Sequence, residues 1–191
     1  MNAPGLVEHF FRHEYSRMLA VLARRVGVQH LEEVEDAVQF ALMRGLESWT
    51  SSGLPDNPSA WLYRVAHNQL IGELRQHSRR RRILEENAPA RGRAPEDAPN
   101  AFLAGEMQDD LLRMLFVCCD DAIPPDSQLA LALKVLCGFN VREIAIRLFI
   151  TEANVYKRLA RSRSRLREHP PRMDEFPSHS YSRLPAVRRI L

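Results

Sequence analysis

Six cationic side chains, Lys157, Arg158, Arg161, Arg163, Arg165 and Arg167, fall in one stretch near the C-terminal end, opposed by only two acids, Glu152 and Glu168. Among them Val155, Leu159 and Leu166 recur at helical spacing and form one narrow apolar seam. A helix that packs by a single seam and is otherwise covered with arginine suits the DNA major groove, because a guanidinium forks to guanine edges or to phosphates. Just before it, Ile144, Ala145 and Leu148 offer the small apolar contacts that would hold such a helix at a fixed angle. Asn140 with Glu143 three residues on starts that preceding helix as a capping box, and Thr151 with Asn154 opens the basic one after a break at Phe149-Ile150. Two helices joined by so short a turn read as a helix-turn-helix.

A second basic cluster, Arg79 to Arg82, ends an earlier helical stretch and offers phosphate contacts that salt would weaken through counterion release. In the same stretch Trp61 and Tyr63 have aromatic faces on which unpaired bases could stack, although Trp61 also fits the packing pattern of its helix. His9 and His13 share a helix face, but no third ligand lies near and the HExxH arrangement is absent, so no metal site is expected. Cys118 and Cys119 are adjacent and Cys137 stands apart, a pattern of buried reduced thiols and not of a metal clip or disulfide framework. There is no nucleophile elbow, phosphate-cradling glycine loop or dinucleotide fingerprint. The chain is therefore not read as an enzyme, and no cofactor is expected.

The elements that must position these residues follow from apolar periodicity. Val7, Phe10, Phe11, Tyr15, Met18, Leu19, Leu22 and Val26 lay one stripe along a helix that Gly27 stops. Val34, Ala37, Val38, Ala41, Leu42, Leu46 and Trp49 form a second, with Glu32, Glu33, Glu35 and Asp36 in its first turns, where the helix dipole favours acids. Turn residues run from Thr50 to Pro58, with Asn57 as cap and Pro58 at the first position of a third helix through Trp61, Leu62, Val65, Ala66, Leu70 and Leu74. Residues 109–119 and 127–138 form two more helices ahead of the helix-turn-helix.

The fold class is all-α: two small helical domains joined by a flexible linker, the second a helix-turn-helix domain of four helices. The expected limits are 1–84 for the first domain, 85–104 for the proline-containing linker, 105–169 for the second domain and 170–191 for a tail. With 191 residues, 45% of them hydrophobic, the chain is a folded one, and its net charge of +3 is only mildly basic. No apolar run is long enough to span a membrane and the N-terminus is not a secretion signal, so the expected location is cytoplasmic.

Three stretches in this order, VEDAVQFALMRGLESW (34–49), NPSAWLYRVAHNQLIGELRQHSRRRR (57–82) and GFNVREIAIRLFITEANVYKRLARSRSRLR (138–167), resemble the sigma-70 family in its extracytoplasmic-function branch. The resemblance spans about residues 5 to 168. It implies a protein that binds core RNA polymerase and promoter DNA and directs transcription initiation. Asp36, Gln39, Phe40 and Arg44 would face the polymerase. Asn57, Trp61, Arg64, His67, Asn68, Arg75, Arg79 and Arg80 would lie near the minus-ten element, with the Thr50 to Asn57 loop receiving a flipped base. Thr151, Glu152, Ala153, Asn154, Lys157, Arg158 and Arg161 would meet the minus-thirty-five element.

The chain departs from the family pattern at Phe40 and Gly72, where acids are usual, and at Phe149, where glycine is usual and a slightly different turn is therefore expected. The stretch 109–145 is most similar to a subgroup that continues into a long C-terminal helical extension, which marks this chain, stopping at SRLPAVRRIL, as a truncated or shortened member. An anti-sigma factor or the chain's own extension is the expected regulatory partner. The competing readings are a helix-turn-helix regulator acting without polymerase and a protein-interaction module in which the basic helix is incidental.

Overall fold

The computed structural model describes residues 3–84, 104–171, 173 and 184–190. Among them eight α-helices follow in order: α1 Ala3–Val26, α2 Leu31–Ser52, α3 Pro58–Leu84, α4 Ala104–Cys118, α5 Pro125–Val135, α6 Val141–Leu148, α7 Glu152–Glu168 and α8 Leu184–Ile190. A 3-10 turn, Val28–His30, links α1 to α2. No strand occurs among the described residues, in agreement with the all-α expectation. The expected linker, apart from Ala104 at the start of α4, lies outside them.

The chain forms two compact units, residues 32–102 and residues 1–31 with 103–191. The sequence limits grouped α1 with α2 and α3. By its packing it groups instead with α4 and the helices that follow.

In the unit of residues 32–102, α2 buries Val34, Ala37, Val38 and Ala41, and α3 buries Leu62, Tyr63, Ala66 and Leu70. Gly45 lets the two helices approach, since a Cβ there would stand 3.0 Å from the Leu62 side chain. One turn on, Trp49 and Trp61 meet at 5.6 Å between ring centroids. The α2 helix runs three residues into the expected turn, to Ser52, and ends on Gly53 at φ 78, whose N–H donates to the Trp49 carbonyl at 3.1 Å. As expected, Asn57 caps α3, its Oδ1 accepting from the Ala60 N–H at 3.0 Å, and Pro58 occupies the first helical position, where its missing donor costs nothing.

In the other unit Tyr15, Met18, Leu19 and Leu22 form the buried stripe of α1, and Gly27 at φ 95 ends that helix as the sequence indicates. The helix packs on α4, which buries Met114, Val117 and Cys118. The short helix α6 is stabilised locally by the expected capping box: the Glu143 N–H donates to Asn140 Oδ1 at 2.9 Å, and Glu143 Oε2 accepts from the Asn140 N–H at 2.8 Å. Burial pushes the Glu143 carboxyl pKa up, but the Asn140 hydrogen bond, the Arg12 guanidinium and the charge of Arg147 more than offset this and hold it below its ordinary value.

The basic helix α7 is held by Val155, Leu159, Ser162 and Leu166, all buried. Ser162 is the small member of that seam, and its hydroxyl lies within donating distance of the Arg158 carbonyl of its own helix at 3.0 Å and the Ser127 carbonyl of α5 at 3.2 Å. Replacing Asn140 by Ala leaves the Glu143 N–H without its acceptor in a helix of only eight residues. Asn140→Ala should lower stability by about 1 kcal/mol in chemical denaturation, and Asn140→Asp should restore most of it.

Candidate nucleic-acid and polymerase surfaces

Because α7 buries a single seam, its opposite face is free. Glu152, Ala153, Asn154, Lys157 and Arg161 are exposed there, as is Thr151, whose Oγ1 caps the helix by accepting from the Asn154 N–H at 3.3 Å. Arg158 is placed differently. Its guanidinium donates to the Asp126 carboxylate at 3.2 Å and to the Asp126 carbonyl at 3.4 Å, so it ties α7 to the start of α5 at the edge of the seam.

Tyr156 is 60% exposed and projects between Glu152 and Ala153 on the outward face. The sequence reading passed over it, although projection of the helix at 3.6 residues per turn puts it with its neighbours there. Arg142, exposed near the start of α6, is a second such residue.

The turn that joins the two helices is set by hydrogen bonding. Ile150 N–H donates to the Ala145 carbonyl at 3.0 Å and Phe149 N–H to the Ile146 carbonyl at 3.3 Å, the paired bonds of a Schellman motif, with Phe149 in the left-handed region at φ 53 and ψ 43. A phenylalanine at this position therefore does not produce a different turn. It adopts the backbone that glycine adopts, at a cost of about 1 kcal/mol, and its ring gains nothing in return because it is 95% exposed.

On α3, Trp61, Arg64, Asn68, Arg75 and Arg79 recur at intervals that keep them on one side of the helix. Arg64, Asn68, Arg75 and Arg79 are exposed, as are Asn57 and Arg80, and Trp61 is half-buried against Trp49. Two aromatic residues fall elsewhere than the sequence reading put them. Tyr63 is buried in the core and does not offer a face to a base, and His67 is buried with its ring stacked on Tyr63 at 5.9 Å. The reason is that 63 and 67 are one turn apart on the side of α3 that carries Leu70. The loop expected to receive a base is reduced to residues 53–57, with Leu54 72% exposed at its tip.

On α2, Asp36, Gln39, Phe40 and Arg44 are all exposed on one side of the helix. Phe40, Met43 and Leu46 are 38%, 57% and 49% exposed, an apolar strip flanked by Asp36, Gln39 and the Arg44–Glu47 ion pair at 3.0 Å. Apolar side chains presented together within a polar rim are the surface expected of a protein-binding helix.

No group of three metal-ligating side chains occurs among the described residues, and the side chain of His9 lies outside them. Cys118 and Cys119 are buried. Burial pushes the Cys137 thiol pKa up, against the lowering charges of Arg147 and Arg12. No helix among the described residues is long and apolar enough to cross a membrane.

Residues 11–80 match the family described as Sigma-70 region 2, and residues 113–166 match Sigma-70, region 4. Over 139 residues the chain is 34% identical to the uncharacterized protein R00370 of Rhizobium meliloti (strain 1021), a match that covers 72% of this chain and 33% of that protein. Over 166 residues it is 27% identical to the ECF RNA polymerase sigma factor SigE of Mycolicibacterium smegmatis, covering 85% of this chain and 60% of the relative. The chain thus spans a third of the length of the first relative and three-fifths of the second. No solved structure matches it.

Replacing Phe149 by glycine removes the backbone penalty without deleting a packed side chain. Phe149→Gly should raise the stability of the folded chain by up to about 1 kcal/mol in denaturant titration, since the glycine gain is partly offset by its freer unfolded chain.

Proposed function

The chain belongs to the sigma-70 family, in its extracytoplasmic-function branch, and from that we propose that it binds core RNA polymerase and directs it to promoters, with residues 1–84 and 105–169 as its two functional regions. In this reading the exposed strip of α2 around Asp36, Gln39, Phe40 and Arg44 docks on the polymerase. The outward side of α3, with Asn57, Trp61, Arg64, Asn68, Arg75, Arg79 and Arg80, meets the minus-ten element and stabilises its separated strands. The outward side of α7 reads the minus-thirty-five element in the major groove.

The observation that carries the proposal is the free face of α7. A helix whose seam is complete and which turns Lys157 and Arg161 outward, exposed, offers those two charges to phosphates and base edges, while Arg158 pairs with Asp126 and Arg165 with Glu168. Arg158 enters this reading as a positioning residue that sets the angle of α7, and His67 as packing beneath the α3 surface. The separation of strands requires no bond chemistry from this chain. It requires only that the unpaired state be bound more tightly than the paired one.

Two measurements test the two halves. Stoichiometric capture of bacterial core RNA polymerase is expected from the wild-type chain and should be lost in the folded Asp36→Arg, Gln39→Ala variant. A folded wild-type chain that captures no polymerase would leave a regulator acting on DNA alone. For the second half, Lys157→Ala with Arg161→Ala should weaken binding of the holoenzyme to its promoter. It should also reduce the slope of log K against log salt by about 0.9 for each phosphate contact removed. An unchanged slope and affinity would exclude α7 as the DNA-facing helix.

A further inference from the structure

The outward side of α7 carries two chemistries next to each other. Projected at 3.6 residues per turn, five exposed residues follow one another round the helix in the order Tyr156, Ala160, Ala153, Lys157 and Arg161. Ala153 and Ala160 stand across from the buried seam, and Tyr156 stands on their flank. The first three residues form an apolar edge and the last two a cationic one.

Tyr156 is the one aromatic residue of α7, and its side chain is mostly in solvent. Among the described residues no hydrogen bond or ring contact engages it. The ring is therefore not what holds α7 to its unit. Nor does this edge suit phosphate at its N-terminal end, where Glu152, exposed one turn before Tyr156 on the same flank, places a carboxylate that repels the DNA backbone. The cations of that flank, Arg163 and Arg167, come later in the helix.

What two alanines and an aromatic ring can recognise in a major groove is the C5-methyl of thymine, the apolar group that base edges present there. Lys157 and Arg161 carry instead the donors that fit guanine O6 and N7. Neighbouring positions of the two edges, such as 153 and 157, are four residues apart, about 6 Å along the helix axis. That distance is shorter than two base-pair steps of about 3.4 Å each.

We propose that the edge of Ala153, Tyr156 and Ala160 reads thymine methyl groups in the major groove, so that the duplex bound by α7 carries thymine within about two base pairs of a guanine read by Lys157 or Arg161. This rests on the reading of α7 as the DNA-facing helix. It assigns part of the sequence preference to an uncharged surface, with Tyr156 as the residue that determines it.

Replacing thymine by deoxyuridine removes the methyl and leaves every hydrogen-bonding group in place. Holoenzyme assembled from core RNA polymerase and the full chain is first allowed to select from a pool of random-sequence duplexes, and each thymine of the selected duplex is then replaced in turn. The wild type should lose about fourfold in affinity for each contacted methyl, at one or two positions beside a guanine. Tyr156→Phe keeps the ring and should show the same pattern. Tyr156→Ala should bind the thymine and deoxyuridine duplexes alike at one of those positions, while keeping its preference for the guanine.

Equal binding of every deoxyuridine duplex by the wild type overturns the assignment, as does a methyl preference that persists undiminished in Tyr156→Ala. Either result leaves α7 facing DNA through its cations. A preference lost in Tyr156→Phe as well as in Tyr156→Ala places the contact at the phenol hydroxyl and overturns the methyl reading. A holoenzyme that selects no sequence overturns both this inference and the reading of α7 beneath it.

Discussion

The α5–α7 contact at Ser162 sets the conditions for the outward side of α7. A helix crowded with arginine can be held only if its seam is narrow and closely packed, because each additional buried position would remove a cation from the surface or bury one at high cost. Val155, Leu159 and Leu166 supply the apolar area, and Ser162 is the small member of the seam, its hydroxyl shared between the Arg158 carbonyl of its own helix at 3.0 Å and the Ser127 carbonyl of α5 at 3.2 Å. Arg158 then fixes the edge by reaching Asp126. The angle of α7 is set by these five residues together with α6, and the outward positions inherit that angle without contributing to it.

The unit of α2 and α3 meets a different requirement. Its two helices share a core that closes through Gly45 and the Trp49–Trp61 pair, and each keeps a side uncommitted. On α2 the uncommitted side is apolar in the middle, with Phe40, Met43 and Leu46, whereas on α3 it is basic and amide-rich. One small unit thus presents a surface suited to protein and another suited to nucleic acid. The division falls between helices and not within one, so neither surface constrains the residue choice of the other.

What could be read from the sequence was mostly what is decided within a few residues. Gly27 as a stop, Asn57 with Pro58 as a start, and the Asn140–Glu143 capping box depend on local hydrogen bonds that residue type reveals directly. The single seam of α7 was legible for the same reason, since a narrow stripe has only one side to bury. Tyr63, whose ring could stack on a base, and His67, which the resemblance put near the minus-ten element, are both buried because they lie on the side of α3 that carries Leu70, a placement that residue type does not reveal. Arg158 looked like its neighbours in sequence, and only the position of Asp126, 32 residues away, distinguishes it. The grouping of α1 was hidden too: its stripe predicts that it packs, but Asp110 and Glu143, which receive its arginines, lie 86 and 131 residues further along the chain. At Phe149 the residue type suggested a new turn, whereas the flanking hydrogen bonds were sufficient to impose the usual one.

The Glu143 carboxylate serves two masters, the Asn140 amide that begins α6 and the Arg12 guanidinium of α1. By thermodynamic reciprocity, any free energy that Arg12 lends to the capped state of α6 is returned in equal measure as affinity of α6 for Arg12. The segments matching region 2 and region 4 are therefore not independent inheritances. A substitution at Arg12 therefore alters the stability of the first turn of α6, through Glu143 and through the Phe139 ring over which the guanidinium lies.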